Sequence, residues 1–381
     1  MKRIGTILVV LIMTGLLLAA CASPKAPAPT PAPSPERPSA TTPGTQSAPT
    51  SAQSREQKLV AAAKAAGEKE VVMWTFSWYA GPVEKAFQER YPFLKLTVWD
   101  GSSETEPRVI EEYKAGKYSP DVIELAIRRM TRVNAAGVLQ EYAFPNWPNT
   151  WPNQPKHNFW RNHMINFYAP AYNTSLVSSA EVPKSWDELA DVKWRGRAIT
   201  TISGAEHIIG YAYMRGDLTS EGVKWDATVA FWKKVIEATR PRIGSGFKSP
   251  LDMAILGDVS LMLHASNTIV FNMMRVGAPL AYAPVKWAPA GGFSIGLAKH
   301  PRNPNAAQLL LDFLTSEEGN VIRSNTFPTP SLHPEGSKRA LGNLMLKPVG
   351  IEMVAVPDEL VTEEMQIRAD EIWVRDILGR R

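Results

Sequence analysis

The chain has 381 residues, 44% of them hydrophobic, with 42 Lys and Arg against 37 Asp and Glu and a formal net charge of +5. Charge this balanced, with no concentrated basic and aromatic interleaving, argues against nucleic-acid reading, and the length exceeds that of an ordinary single domain, so two lobes are expected. The single cysteine excludes a disulfide framework and a thiolate metal cluster.

The N-terminus opens on Lys2 and Arg3 and continues with an apolar run over 4–18, too short for a permanent membrane span. It ends in Leu18-Ala19-Ala20-Cys21, which resembles the lipobox of bacterial lipoproteins. That resemblance implies that residues 1–20 are a signal peptide and that the Cys21 thiol carries diacylglycerol, holding the protein to a bacterial membrane at the cell surface or in the periplasm by the two or more signals that stable anchoring requires. The plainer reading is an ordinary secretory signal. Residues 21–54 are rich in Pro, Ala, Ser and Thr. They bury too little to offset ordering entropy, so a disordered tether is expected.

From residue 55 on, apolar periodicity alternates between helix and strand. A helix is predicted over 56–67 and a strand over 71–76, whose unbroken apolar run suits a buried parallel strand. Pro82 opens the next helix and Pro92 closes it. A strand over 94–99, a turn at Asp100-Gly101-Ser102-Ser103, a helix ending at Gly116 and a strand over 121–125 complete a βαβαβ opening, the mark of an open parallel sheet. An extended crossing segment is expected over 167–172, then a short helix at Trp186 capped by Ser185. A strand over 197–202 leads to a helix from 205, another helix covers 225–238, and a strand over 259–263 precedes a helix over 269–276. A second crossing segment over 280–284, a strand over 293–298 and helices over 305–325 and 363–378 end the chain.

Several blocks carry a family resemblance. They are Asp100-Gly101-Ser102-Ser103 with Arg108, Ser119-Pro120-Asp121-Val122, and Tyr172-Asn173-Thr174. Most specific are Val182-Pro183-Lys184-Ser185-Trp186-Asp187-Glu188-Leu189, followed by Lys193-Trp194-Arg195-Gly196-Arg197, and the block from His300-Pro301 to Ala307 with Phe313 and Ser316-Glu317-Glu318-Gly319. On these the chain resembles type 2 periplasmic solute-binding proteins of ABC importers, in the extracellular family 1 branch named for ferric iron. The resemblance implies an α/β fold of two lobes, each a mainly parallel sheet with helices on both faces, joined by two hinge crossings. The first lobe would take 55–168 and 286–381, the second 169–285. It implies a monomer with no cofactor and no catalytic role, which closes on a small-molecule solute and delivers it to the permease and ATPase subunits. Ferric-binding members place adjacent tyrosines after the strand corresponding to 259–263, where this chain reads His264-Ala265-Ser266-Asn267-Thr268. A polar or anionic solute is therefore expected rather than a metal. Ferric iron or an iron chelate held without the tyrosine pair, and a ligand sensor on the same fold, are the alternatives.

Ligands of open α/β sheets sit beyond the carboxyl ends of strands, where helix N-termini favour anions. Four loops qualify: Ser77 with Trp78; Ser102 with Ser103; Ser203, Gly204 and His207; and His264, Ser266 and Asn267. Trp287 would wall the cleft, and Arg128, Arg129 and Arg132 would add positive charge. Each has a structural alternative. Ser102 and Ser203 equally serve as helix N-caps, His207 as a surface helix residue and His264 as a hydrogen-bonded core imidazole. For Trp78 and Trp287 the alternative is packed core or lobe-interface bulk, as aromatic side chains usually are, and for the arginines it is the commoner solvated face.

One catalytic pattern is present, Gly292-Phe293-Ser294-Ile295-Gly296. A nucleophile elbow requires its serine at a sharp strand-to-helix turn, whereas this serine falls inside a predicted strand. A serine hydrolase is therefore the weakest alternative.

Overall fold

The computed structural model describes residues 51–75, 80–101, 104–145, 157–357 and 360–380. The expected signal peptide, Cys21, most of the tether, and the loop residues Ser77, Trp78, Ser102 and Ser103 lie outside the described residues. Residues 51–54, read as tether, instead begin the first helix, Ser51–Ala65.

The strands are β1 Glu70–Thr75, β2 Lys95–Asp100, β3 Val122–Ala126, β4 Leu139–Gln140, β5 Trp160–Asn173, β6 Ala198–Thr201, β7 Leu218–Thr219, β8 Gly222–Val223, β9 Arg242–Gly244, β10 Leu261–Ser266, β11 Leu280–Tyr282, β12 Trp287–Ala298 and β13 Glu352–Ala355. β7 and β8 make a separate hairpin. The rest follow the order β2-β1-β3-β12-β5-β10-β6-β9, with β11 on β5 and with β4 and β13 on β12. β1 is parallel to β2 and β3, and β6 is parallel to β10 and β9. β12 runs antiparallel to β3, and β5 antiparallel to both β12 and β10.

The long strand β5 joins the two halves. Its residues 160–167 pair with β12 and its residues 168–172 with β10. It therefore belongs to both sheets, as the crossing segment predicted over 167–172 requires. The second predicted crossing supplies β11, paired with 171–173 of the same strand. The chain thus has the two-lobed α/β fold with a hinge of two crossings.

Helices cover both faces of the first sheet because parallel strands leave neither face for water. Alternation along β1 sends Val71 and Met73 into one core with Phe87 and Leu310, and Trp74 into another with Val109 and Ile123. The second lobe has one large core in which Trp194, Trp232 and Trp373 are fully buried.

Three expectations need correction. The helix expected over 305–325 is two, Pro304–Leu314 and Glu317–Thr326; Ser316 caps the second by accepting the Gly319 N–H. Strand β10 runs on to Ser266, so His264 sits inside a strand rather than in a loop. The C-terminal segment, expected in the first lobe, packs its Ala369, Ile372, Trp373 and Ile377 into the second-lobe core. The Trp373 indole N–H donates to the Thr201 carbonyl at 2.8 Å, which fixes that attachment.

Candidate ligand cleft

A cavity of about 470 Å³ opens where β5 crosses between the sheets. Its floor is one face of the β5/β12 ladder, carrying Met164, Asn166 and Tyr168 from β5 and Gly291 and Phe293 from β12. Side chains two apart on a strand share a face, which brings these five together. One wall is the start of the helix Ile127–Ala135, with Ile127, Arg128, Arg129 and Thr131. The opposite wall is Ser203, Phe247, Ser266 and Thr268 from the second lobe. Val356, Val361 and Gln366 of the C-terminal segment and Phe327 of the first lobe complete the enclosure.

The polar floor is wired as a chain. Ser266 Oγ donates to Asn166 Oδ1 at 2.9 Å, and Asn166 Nδ2 donates to the Tyr168 hydroxyl at 2.9 Å. Thr268 Oγ1 lies 2.8 Å from Ser266 Oγ, and since the Ser266 proton goes to Asn166, Thr268 is the donor of that pair. The Tyr168 ring is backed by Phe247, with centroids 5.3 Å apart.

Two arginines line the cavity, and among the described lining residues none is Asp or Glu. Arg129 and Arg132 are held by Glu106, with Arg129 Nη1 3.4 Å from its carboxylate and Arg132 donating to both oxygens. Three helices begin at the cavity edge: Ile127–Ala135, Ala205–Met214 after Ser203 and Gly204, and Asn267–Arg275 after Ser266. Their first turns carry unpaired backbone N–H groups and the positive dipole end. With the arginines, these give the cleft a positive bias.

Of the residues expected to contact ligand, the cavity brings together Ser203 and Ser266. The others that are described do not line it. His207 and His264 are buried with ring centroids 3.7 Å apart, walled by Trp232 and Trp373. His264 Nε2 lies 3.4 Å from the Ser203 carbonyl and its Nδ1 lies 3.3 Å from the Thr200 hydroxyl. A carbonyl only accepts, so the proton sits on Nε2. Burial pushes His264 down to about 4, despite the opposing hydrogen bond to Ser203, and pushes His207 well below the usual range. Both are neutral supports behind the Ser203 loop.

Asn267 is fully buried, and its Oδ1 accepts the Phe167 N–H at 2.8 Å, tying the helix to β5. Gly204 is required by packing, since a Cβ there would lie 2.5 Å from the Trp373 ring. Trp287 stacks on Trp186 at 5.3 Å, away from the cavity. The Ser294 of the esterase-like motif lies mid-strand, fully buried, with its hydroxyl donating to Asn162 Oδ1 at 2.5 Å. It forms no elbow.

A second support stands behind the first-lobe wall. Glu124, two residues before Ala126, is fully buried with Arg323 and His163. Thr75 Oγ1 donates to Glu124 at 2.8 Å, His163 Nε2 lies 2.7 Å from the carboxylate, and Arg323 Nη2 donates to it as well. Arg323 Nη1 meets His163 Nδ1. A neutral imidazole with its proton on Nε2 satisfies all these contacts. Burial and the neighbouring guanidinium outweigh Glu124 and hold His163 at about 4. Although burial alone would raise it, Arg323 and His163 keep Glu124 below the ordinary carboxylate range.

Sequence reasoning missed Asn166 and Tyr168 as cavity residues. Their signal was available: two polar groups at i and i+2 in the otherwise apolar stretch 164–171. Phe247 and Gln366 carried none, because only tertiary packing delivers them.

The fold and cleft define a two-lobed solute-binding protein. A model of bacterial extracellular solute-binding proteins matches residues 75–321, and the chain belongs to that family. Members are substrate-binding components of ABC transporters that act outside the cytoplasm. No curated protein matches the sequence. The fold is similar to that of GacH from Streptomyces glaucescens, solved unliganded and with acarbose, at TM-score 0.69 and 14% identity over 82% of this chain and 94% of that one. It is similar to iron-bound HitA from Pseudomonas aeruginosa at TM-score 0.63 and 14% identity, covering 81% and 99%. Fructose-6-phosphate-bound AfuA from Actinobacillus pleuropneumoniae follows at TM-score 0.58 and 18% identity, covering 82% and 96%. Among the described residues no helix is long and apolar enough to cross a membrane, and no group of three His, Cys, Asp or Glu is placed to hold a metal ion.

Proposed function

We infer that this chain captures a small organic anion between its lobes, closes on it about the β5 and β11 crossings and delivers it to the permease and ATPase of an importer, while Cys21 anchors it to the membrane by lipid. The observation that carries the ligand class is the cleft lining, which holds Arg128 and Arg129 and, among the described lining residues, no Asp or Glu, with Glu106 behind the wall pairing with Arg129. Ferric iron prefers several hard oxygen donors, and the described lining offers the single phenol of Tyr168. The anchor is supported by Leu18-Ala19-Ala20-Cys21.

A thermal-shift series on the full chain in nanodiscs tests the ligand class, using carboxylates, phosphosugars, inorganic phosphate, ferric citrate, thiamine and polyamines. An anion at a hundred times its Kd adds about 2.7 kcal/mol and raises Tm by several degrees, and Arg128→Gln shrinks that shift. A shift with a polyamine or with free ferric iron, and none with anions, overturns the reading. Fatty-acid labelling that persists in Cys21→Ser would refute the anchor.

A further inference from the structure

Gly291 and Gly292 lie side by side in β12, and they are glycine for different reasons. A Cβ on Gly292 would sit 2.9 Å from Ile127 Cδ1 and 3.3 Å from the Met164 carbonyl oxygen, so packing excludes any side chain there. A Cβ on Gly291 would meet nothing within 4 Å, and its backbone is not in the left-handed region. Neither a neighbour nor strain demands a glycine at 291. Glycine inside a strand weakens it, and its usual justification is a bulge, a bend or the close approach of another group. The β12–β5 register is regular from 290 to 293, so there is no bulge at this rung.

The open space above Gly291 belongs to the cavity. Gly291 is directly opposite Asn166, so no side chain from β12 stands across from the Asn166 amide on this face. Phe293 stands one rung of the same face to one side, opposite Met164. Tyr168, backed by Phe247, stands to the other. The result is a flat slot between aromatic flanks. The hydroxyl protons of Ser266 and Thr268 are committed to Asn166 and to Ser266, and one Asn166 N–H is committed to Tyr168, so these three side chains keep one N–H, the second on Asn166, for a polyhydroxylated solute. Each unmatched hydroxyl in such a site would be desolvated without return. Aromatic rings, in contrast, gain from edge and offset contacts with the flanks, and a carboxylate gains a charge-assisted bond from a guanidinium.

We propose that Gly291 sets the specificity of this cleft, and that the solute is an aromatic carboxylate whose ring lies over the Gly291–Asn166 rung with its carboxylate toward Arg128. This rests on the reading that the cleft captures an organic anion.

Isothermal titration of the full chain in nanodiscs provides the test, with benzoate and phenylacetate as probes against glucose 6-phosphate and inorganic phosphate. The aromatic acids bind. Gly291→Leu fills the slot and lowers their affinity at least about tenfold, while Tm without ligand holds or rises. Gly291→Ala, whose Cβ meets nothing, gives a smaller loss and carries the comparison should the leucine variant not fold. Wild-type affinity for benzoate in the leucine variant overturns the proposal. Binding of the phosphates with no binding of aromatic acids also overturns it, yet leaves anion capture standing. Heat from no member of the panel overturns both.

Discussion

The two walls of the cleft are braced by buried histidines in opposite electrostatic settings. Behind the first-lobe wall, His163 sits between the charges of Glu124 and Arg323, each fully buried. Behind the second-lobe wall, His207 and His264 lie with ring centroids 3.7 Å apart among indole rings. Each brace ends on a cavity segment: Glu124 on the strand that leads to Ile127, and His264 on the Ser203 carbonyl. An ion pair is rigid but intolerant of losing a member, because the remaining charge is stranded in low dielectric. A neutral aromatic box tolerates polar loss better and depends instead on packed volume and on staying unprotonated. The wall bearing Arg128 should therefore fail by charge deletion, and the wall bearing Ser203 by cavity or by acid.

The largest effect is expected from Arg323→Leu. It strands the Glu124 carboxylate, and breaking a buried pair from one side costs about 3–5 kcal/mol, read as a fall in the urea midpoint at unchanged slope. A loss below about 1 kcal/mol would show that the first brace is not ionic, and the contrast would collapse. Trp373→Ala attacks the second brace by volume. Removing a fully buried indole costs about 3–5 kcal/mol, and it also frees the Thr201 carbonyl that now accepts its N–H. Because the C-terminal segment also lines the cavity through Gln366, this variant should bind solute more weakly as well.

Acid sharpens the comparison. His264 titrates at about 4 in the fold against 6.5 for the free group. Between those values the unfolded chain binds a proton that the native state refuses, so stability falls as pH drops from 6.5 toward 4 and is flat above. For a change of that size the loss is about 3 kcal/mol per histidine. His163, also near 4, adds its own loss over the same window. Glu124, held below 4.5, loses its contribution only at lower pH still. Urea midpoints at pH 7.5 and 5 should differ in wild type and differ less in His264→Phe. An unchanged pH dependence in that variant would assign the acid response to the other buried histidines, His163 and His207.

Much of this architecture was legible beforehand. The βαβαβ opening followed from apolar runs of strand length separated by Pro-bounded helices, and both crossings fell where β5 and β11 pair. The cleft was less legible, for a physical reason. The rule that ligands sit beyond strand ends led to Ser203 and Ser266, both on the cavity, and equally to His207, His264 and Asn267, which are buried one layer deeper. Polar residues beside a cleft and polar residues bracing it have the same local pattern, and only packing distinguishes them. Asn166 and Tyr168 were hidden in the reverse sense, as polar groups inside what read as a structural crossing. Trp373 reached the second lobe through contacts more than a hundred residues from its neighbours in sequence, which no window of periodicity contains.

The smallest expected effect bears most directly on that distinction. Asn267 follows β10 and opens a helix, as a solute contact should, yet its Oδ1 accepts the Phe167 N–H at 2.8 Å and it does not line the cavity. Asn267→Ala leaves that backbone N–H unsatisfied, an expected loss of about 1–3 kcal/mol, visible as a lower Tm. Solute affinity, measured well below the transition temperature, should remain within about twofold, since a bracing residue contributes to ΔG of unfolding and not to contacts made only with ligand. Ser203→Ala should show the inverse: little change in Tm, because its carbonyl rather than its hydroxyl meets His264, and weaker binding. If Asn267→Ala abolished binding at unchanged Tm, the buried layer would be part of the recognition surface after lobe closure, and the two walls would differ in mobility rather than in depth.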